Sequence, residues 1–295
     1  MPTVDELEKL AVQDERFLVR RIEAHQAELK RAIRKLEARI LADIKELSTG
    51  PTGKLKGVKV NLIQSQKIHK QLVAHWKKTY DTAFESIVDD FDKIAARAVR
   101  RFKTLEAAGE FTAFDEVMIQ RLKTATYNEF AAYGDLAQER MARAMYSHVV
   151  ARSGFAELVA EVQGILRGHE DIRGISMERY ATQFANDAVM NFNNSVHLAK
   201  AEQYGFEYFR YSGTIMADTR DWCLRHIGRT YSRKQIESWR PTWAGASGPA
   251  MTHRGGYNCR HTWVAVRKEW VEDEAVESTA DKEKQRAKLQ KAKRE

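Results

Sequence analysis

The chain has 295 residues, more than one compact domain usually holds, with 43% hydrophobic and 31% charged residues but only 4 prolines and 16 glycines. This excludes a wholly disordered chain and predicts a helix-rich protein of two structural units. The formal charge of +8 is the balance of 49 Lys and Arg against 41 Asp and Glu, so both signs are interleaved; such a surface suits contact with DNA or another acidic partner without identifying one. No apolar run reaches the roughly 20 residues that span a bilayer. The opening MPTVDELEKL lacks the features of a secretory leader, and two cysteines are too few for a secreted disulfide framework, so a protein made in a reducing cytosol is expected.

Leu18, Ile22, Leu29, Ile33, Leu36, Ile40, Ile44 and Leu47 recur at steps of three, four or seven, which predicts one long amphipathic helix. The run Gly50-Pro51-Thr52-Gly53 should end it, because proline cannot continue the ladder and glycine tolerates a left-handed exit. A second stripe through Leu72, Trp76, Tyr80, Phe84, Ile87, Phe91, Ile94, Ala98, Phe102 and Leu105 predicts another long helix, folded back on the first as a hairpin. Shorter helices are expected over 114–130, 136–150 and 155–166, broken at Gly134, at Ser153-Gly154 and across Gly168 to Gly174. Ser176 can cap a last long helix with Tyr180, Phe184, Ala188, Phe192, Val196 and Ala199 on one face and Gly205 at its end.

After Gly205 the composition changes. Residues 206–211 are aromatic-rich and fit a strand, residues 262–266 a closing strand, and the turns between carry both cysteines. From Lys282 the chain has seven Lys or Arg against two Glu, a pattern read as a solvated helix or loose end, with DNA or scaffold contact as the alternative. The fold class expected is mainly α: long amphipathic helices followed by a small, turn-rich α+β C-terminal module containing Cys and His. The boundaries are a helical domain at 1–204, the module at 205–270 and a charged basic tail at 271–295.

The polar residues that can carry chemistry lie in two stretches, Tyr211 to Tyr231 and His253 to His261. Cys223, Cys259, His261 and His253, with His226 as the alternative to His253, are soft or borderline donors of the kind that hold structural zinc, and four converging donors make a tetrahedral site. The spacing is not that of a standard finger. Two packed thiols with hydrogen-bonded histidines, or a Cys223–Cys259 disulfide, fit the same residues. Asp218, Arg220 and Asp221 read as an ion-pair and capping network rather than a catalytic carboxylate group. The Arg260 fork can tie the Asp218 to Asp221 turn to the final strand or contact a phosphate. Cys/His pairs without a nucleophile elbow or oxyanion loop argue against acyl-transfer chemistry, and Gly245 to Gly248 and Gly255-Gly256 read as turns rather than phosphate loops. No enzymatic role is expected.

The order Asp218-x-Arg220-x-x-Cys223, Gly228-Arg-Thr-Tyr231 and Gly256-Tyr-Asn-Cys259-Arg260-His261, followed by a closing strand, resembles the C-terminal signature of the Mu F-like head-morphogenesis proteins of phages. The likeness covers roughly 190–266. Many members have Cys-Arg-Cys where this chain has Cys259-Arg260-His261, an exchange of one zinc donor for another. The resemblance implies a minor capsid protein of the virion, associated with the portal inside the procapsid beside capsid or scaffold proteins and assisting head assembly and DNA packaging or ejection. The alternatives are a DNA-binding protein acting through its basic surface and tail, and a toxin-like or hydrolytic enzyme using the Cys/His/Asp residues. Against the enzyme, some Mu F-like modules carry an added toxin domain, and the roughly 25 residues after Trp270 are too few for one.

Overall fold

The computed structural model describes residues 4–56, 59–104, 113–168, 176–240, 248–270 and 278–294. The protein is mainly helical with one small antiparallel sheet. Long helices come first: α1 (Val4–Ile44), α2 (Lys59–Thr104), α3 (Ala113–Ala151), α4 (Phe155–Arg167) and α5 (Met177–Gln203). Strand β1 (Tyr208–Ser212), helix α6 (Asp221–His226), strand β2 (Thr230–Ser232), helices α7 (Arg233–Glu237) and α8 (Ala250–His253), strand β3 (Thr262–Val266) and helix α9 (Thr279–Ala292) follow.

The apolar stripes became cores. All eight residues of the first stripe are buried, none more than 5% exposed, and Leu72, Trp76, Phe84, Ile87, Phe91, Ile94, Ala98 and Phe102 of the second are buried as well. The Tyr80 side chain and Leu105 lie outside the described residues. Burying each such side chain stabilises the fold by about 1.5–3 kcal/mol, which is why helices of this length hold in water.

By contacts the chain forms two units. One comprises Met1–Ile22, Asp90–Leu122 and Asn186–Glu295, the other Glu23–Asp89 and Lys123–Ala185. The cuts fall inside α1, α2, α3 and α5, whereas the partition at 204 and 270 follows a change in composition; the contacts divide the chain elsewhere.

Within the second unit α1 and α2 are joined by the expected Gly-Pro turn, and Asn61 latches it. Its Oδ1 accepts from the Ser48 N–H at 2.8 Å while its Nδ2 donates to the carbonyls of Ser48 (2.8 Å) and Lys56 (2.7 Å). His75 Nε2 lies 3.6 Å from Asp43. Glu37, 2% exposed, accepts from Gln163 at 3.0 Å and pairs with Arg167, fastening α4. Helix α3 runs through Gly134, where a break was expected. One helical glycine costs about 1 kcal/mol relative to Ala, less than burying Phe130, Ala137 and Met141 around it returns.

Within the first unit the hairpin pairing recurs: Asp14 accepts from Arg101 at 3.0 Å and pairs with Arg97, and Arg21 meets Asp90 at 3.5 Å. Helix α5 crosses the partition, and its start, in the second unit, is capped by Ser176 as expected, its Oγ accepting from the Arg179 N–H at 3.3 Å. At the other end Gly205 adopts φ +68°, so that Phe206 N–H reaches Ala201 O (2.8 Å) and Gly205 N–H reaches Glu202 O (3.1 Å), the paired bonds of a Schellman stop. The turn throws the chain into the sheet, ordered β2-β1-β3. Phe209 on the central strand pairs with Tyr231 on one side and Ala265 on the other. Phe209, Tyr211, Trp222, Trp263 and Val264 share one hydrophobic cluster with Ala11, Phe102, Leu198 and Ala201 of the helices, so the C-terminal strands have no separate core.

Asn61 generates a test. Asn61→Ala takes the partner from the Ser48 N–H and the Lys56 carbonyl, while the Ser48 carbonyl keeps the Lys56 N–H, and the expected loss is about 1–2 kcal/mol, read as a lower urea midpoint at unchanged slope; a midpoint equal to wild type would show that the latch carries no weight.

Candidate metal centre

Residues 216–219 form a tight turn in which Thr219 Oγ1 accepts from the Met216 N–H at 2.7 Å and Thr219 N–H returns to the Met216 carbonyl at 3.0 Å. Helix α6 starts directly after it and directs Trp222, Cys223 and Leu224 inward. The second cysteine comes from the loop 254–260, which bends through three left-handed residues: Arg254 (φ 53°), Gly256 (φ 92°) and Asn258 (φ 56°). Such a backbone needs anchors. Arg254, 1% exposed, donates to the carbonyls of Thr252 (2.9 Å) and Met190 (3.3 Å) and to Asn191 Oδ1 (2.9 Å), and the Asn258 N–H meets Asp187 Oδ1 at 2.6 Å. Arg220 reaches from the other side, donating to Gly255 O (3.2 Å) and Tyr257 O (2.7 Å) with its guanidinium 4.6 Å from the Tyr257 ring.

These anchors bring Cys223, Cys259 and His261 together, all three buried, with one donor atom of each within 4.8 Å of the others. Tyr211 Oη, from β1, lies 3.5 Å from Cys223 Sγ and 3.3 Å from Cys259 Sγ, and His261 Nδ1 lies 3.5 Å from Cys259 Sγ. Both cysteines are free thiols. Gly255 makes the approach possible: a Cβ there would sit 2.3 Å from Cys223 Sγ and 3.1 Å from Cys259 Sγ.

The two thiols are unequal. The hydrogen bond to Cys259, reinforced by burial and by the charge of Cys259, pushes Cys223 well up. Burial alone would raise Cys259 too, but the hydrogen bond from Cys223 and the charge and hydrogen bond of His261, with Arg254 behind, hold it well below the ordinary thiol range. The surroundings thus favour the thiolate form at Cys259 more than at Cys223.

Two expected ligands stand apart. His226 Nδ1 is 2.9 Å from the Tyr231 hydroxyl and its ring packs on Trp222 and Trp239 at 4.3 and 4.6 Å; burial first, then Arg225 and Arg229, lowers its pKa to about 4. His253, at the end of α8, lies against Gly248, where a Cβ would come within 2.5 Å of its ring. Neither joins the group of three. Of the expected braces, Arg220 serves, but Asp218 is exposed and makes no hydrogen bond among the described residues, while Asp221 pairs with Arg286 of α9. Arg260 does not tie the 218–221 turn to β3; Arg220 performs that fastening, because its position ahead of α6 faces the loop carbonyls. Gly255 and Gly256 do make turns, whereas Gly245 to Ala246 and Ser247 lie outside the described residues. The roles of Tyr211, Arg254 and Asp187 escaped the sequence reading, since nothing in their spacing marks them.

Fold and site together define a helix-rich protein with a Cys2His donor group built into a three-stranded α+β region. No family model, curated protein or solved structure matches the chain.

The donor chemistry suits a borderline-soft divalent ion. At Zn–S of ~2.3 Å and Zn–N of ~2.05 Å, tetrahedral ligation separates sulfur from nitrogen by about 3.6 Å, close to the 3.5 Å between Cys259 Sγ and His261 Nδ1. His261 Nε2 is buried without a partner. Gly255→Ala should therefore force the sulfurs apart, abolishing metal uptake and lowering stability by about 2 kcal/mol or more; normal metal content in the purified variant would refute the packing argument.

Proposed function

We propose that this protein is a phage minor head protein of the Mu F-like class, placed at the portal inside the procapsid, and that one zinc ion held by Cys223, Cys259 and His261 staples its C-terminal region. One observation carries the reading. The residues that make the resemblance are scattered over forty-odd positions, and Asp218, Arg220, Cys223, Cys259, Arg260 and His261 line one cavity, three of them forming the donor group. That the first and last parts of the signature line one cavity supports reading it as the signature of a site.

Zinc would join α6, the 254–260 loop and the entry to β3, supplying a cross-link and accepting the second thiolate. The apolar stripes cannot be the docking faces, because they are spent on cores. Contact with portal, capsid or scaffold then falls to exposed apolar side chains such as Val60 and Ile63 of α2 or Tyr146 and Val150 of α3. No helix among the described residues is long and apolar enough to cross a membrane.

The test is elemental analysis of the reduced full chain together with co-purification of the portal protein. About one zinc per chain is expected, lost in Cys259→Ser and kept in His226→Ala and His253→Ala. Portal should co-purify with the wild type and less with Val60→Lys/Ile63→Lys. Absence of metal from all four chains would refute the staple, and undiminished portal recovery by the lysine variant would refute the docking face.

A second reading, DNA contact, is favoured by one feature. Arg16, Arg20, Arg21 and Arg97 line a cavity of about 590 Å³ beside Phe17. The carboxylates near it are shared, Asp14 by Arg97 and Arg101, and Asp90 by Arg21 and Lys93, while Arg16 and Arg20 have no acidic partner among the described residues. Arg16→Ala/Arg20→Ala should lower the salt slope of DNA affinity by about two, measured by anisotropy; an unchanged slope would exclude this surface.

A further inference from the structure

A tetrahedral ion needs four ligands, and purely structural zinc sites take all four from the protein. Among the described residues this group offers three. The two remaining histidines of the region are engaged elsewhere, His226 with Tyr231 and the indoles, His253 against Gly248. The group is also not sealed. Cys223, Cys259 and His261 all line a surface cavity of about 230 Å³, whose polar wall includes Arg220, Arg260 and Asp218.

Charge says what this cavity favours. A divalent ion with two thiolates and a neutral imidazole is neutral, so the wall residues set the sign: two arginines against one carboxylate leave one positive charge. Arg220 spends its fork on the Gly255 and Tyr257 carbonyls. Arg260 makes no hydrogen bond or ion pair among the described residues and is the cation left to meet an incoming group. Size limits the guest further, since pockets for whole small molecules run from about 300 Å³ upward. This one has room for a single oxyanion head and a few waters.

Resting on the zinc reading above, we infer that the ion keeps an exchangeable fourth position facing this cavity, held by water and open to one oxyanion, a carboxylate or phosphate group, which Arg260 pairs. The centre is then a docking point for an acidic group as well as a cross-link. Ligand binding there would draw α6, the 254–260 loop and the head of β3 toward one ion, since each supplies a donor.

Cobalt makes the fourth position visible. The reduced full chain is loaded with Co²⁺ and its thiolate charge-transfer and d–d absorption recorded, then titrated with azide, which probes the coordination position, and with inorganic phosphate, which probes the oxyanion pocket. Both are expected to shift the d–d bands saturably. Arg260→Ala should keep the cobalt spectrum and weaken phosphate about tenfold, the loss of one charge-assisted contact, and Asp218→Ala should leave the ligand-free spectrum unchanged. Bands that neither anion moves, or a cobalt spectrum altered by Asp218→Ala because that carboxylate is the fourth ligand, would overturn the inference while leaving the staple intact. Failure to take up cobalt at all would overturn the zinc reading and this inference with it.

Discussion

The hydroxyl of Tyr211 has to be accommodated in a core that excludes water. The residue is fully buried on the central strand, and its oxygen finds two sulfurs, of Cys223 and Cys259, at 3.5 and 3.3 Å. Sulfur is a weak partner, and a buried polar group left short of partners costs about 1–3 kcal/mol. A thiolate is a better acceptor than a thiol, and the surroundings of Cys259 favour that form more than those of Cys223 do. Loading with a metal would make both sulfurs thiolates and so improve the environment of the phenol. Tyr211 would then couple sheet stability to metal loading, standing behind the sulfurs as an outer partner.

Much of this was legible in the sequence where a repeating physical rule applied. Periodic apolar residues marked the faces of α1 and α2, Ser176 and Gly205 marked the ends of α5 within a residue or two, and the Thr262–Val266 strand matches its expected span. Local rules misled where a tertiary term was larger. Gly134 is a weak breaker by itself, and buried neighbours on both sides carried α3 through it. The donor group was half legible. Residue type selected Cys223, Cys259 and His261, but ligand choice among histidines depends on which rings are already engaged, and His226 belongs to an aromatic cluster with Trp222, Tyr231 and Trp239 whose members are distant in no obvious pattern.

The same limit explains the arginines. Arg220, Arg254 and Arg260 look alike along the chain, yet one braces a loop, one is buried with three acceptors and one lines a cavity with no partner among the described residues. Their roles come from the left-handed backbone of 254–258, whose free carbonyls and amides need donors and acceptors from outside the loop. Once that loop is fixed against Asn191 and Asp187 by Arg254 and Asn258, its carbonyls face Arg220, and the cysteine two residues before His261 has little freedom left. Preorganisation of this sort lets a site hold its donors together before any ion arrives.

The basic tail shows how far charge counting can go. Its sequence describes a solvated helix equally well, but α9 rests on the region it follows: Lys282, 2% exposed, donates to the carbonyl of Ile227 at the end of α6, Arg286 donates to Thr219 O at 2.9 Å and pairs with Asp221, and Gln290 donates to Ala217 O at 2.8 Å. A cation at the C-terminal end of a helix also meets its dipole favourably. These three side chains hold both ends of the short helix that carries Cys223 and the turn before it, a helix of only six residues with little stability of its own. The tail therefore could not leave to act as a free basic arm without loosening the helix that carries Cys223.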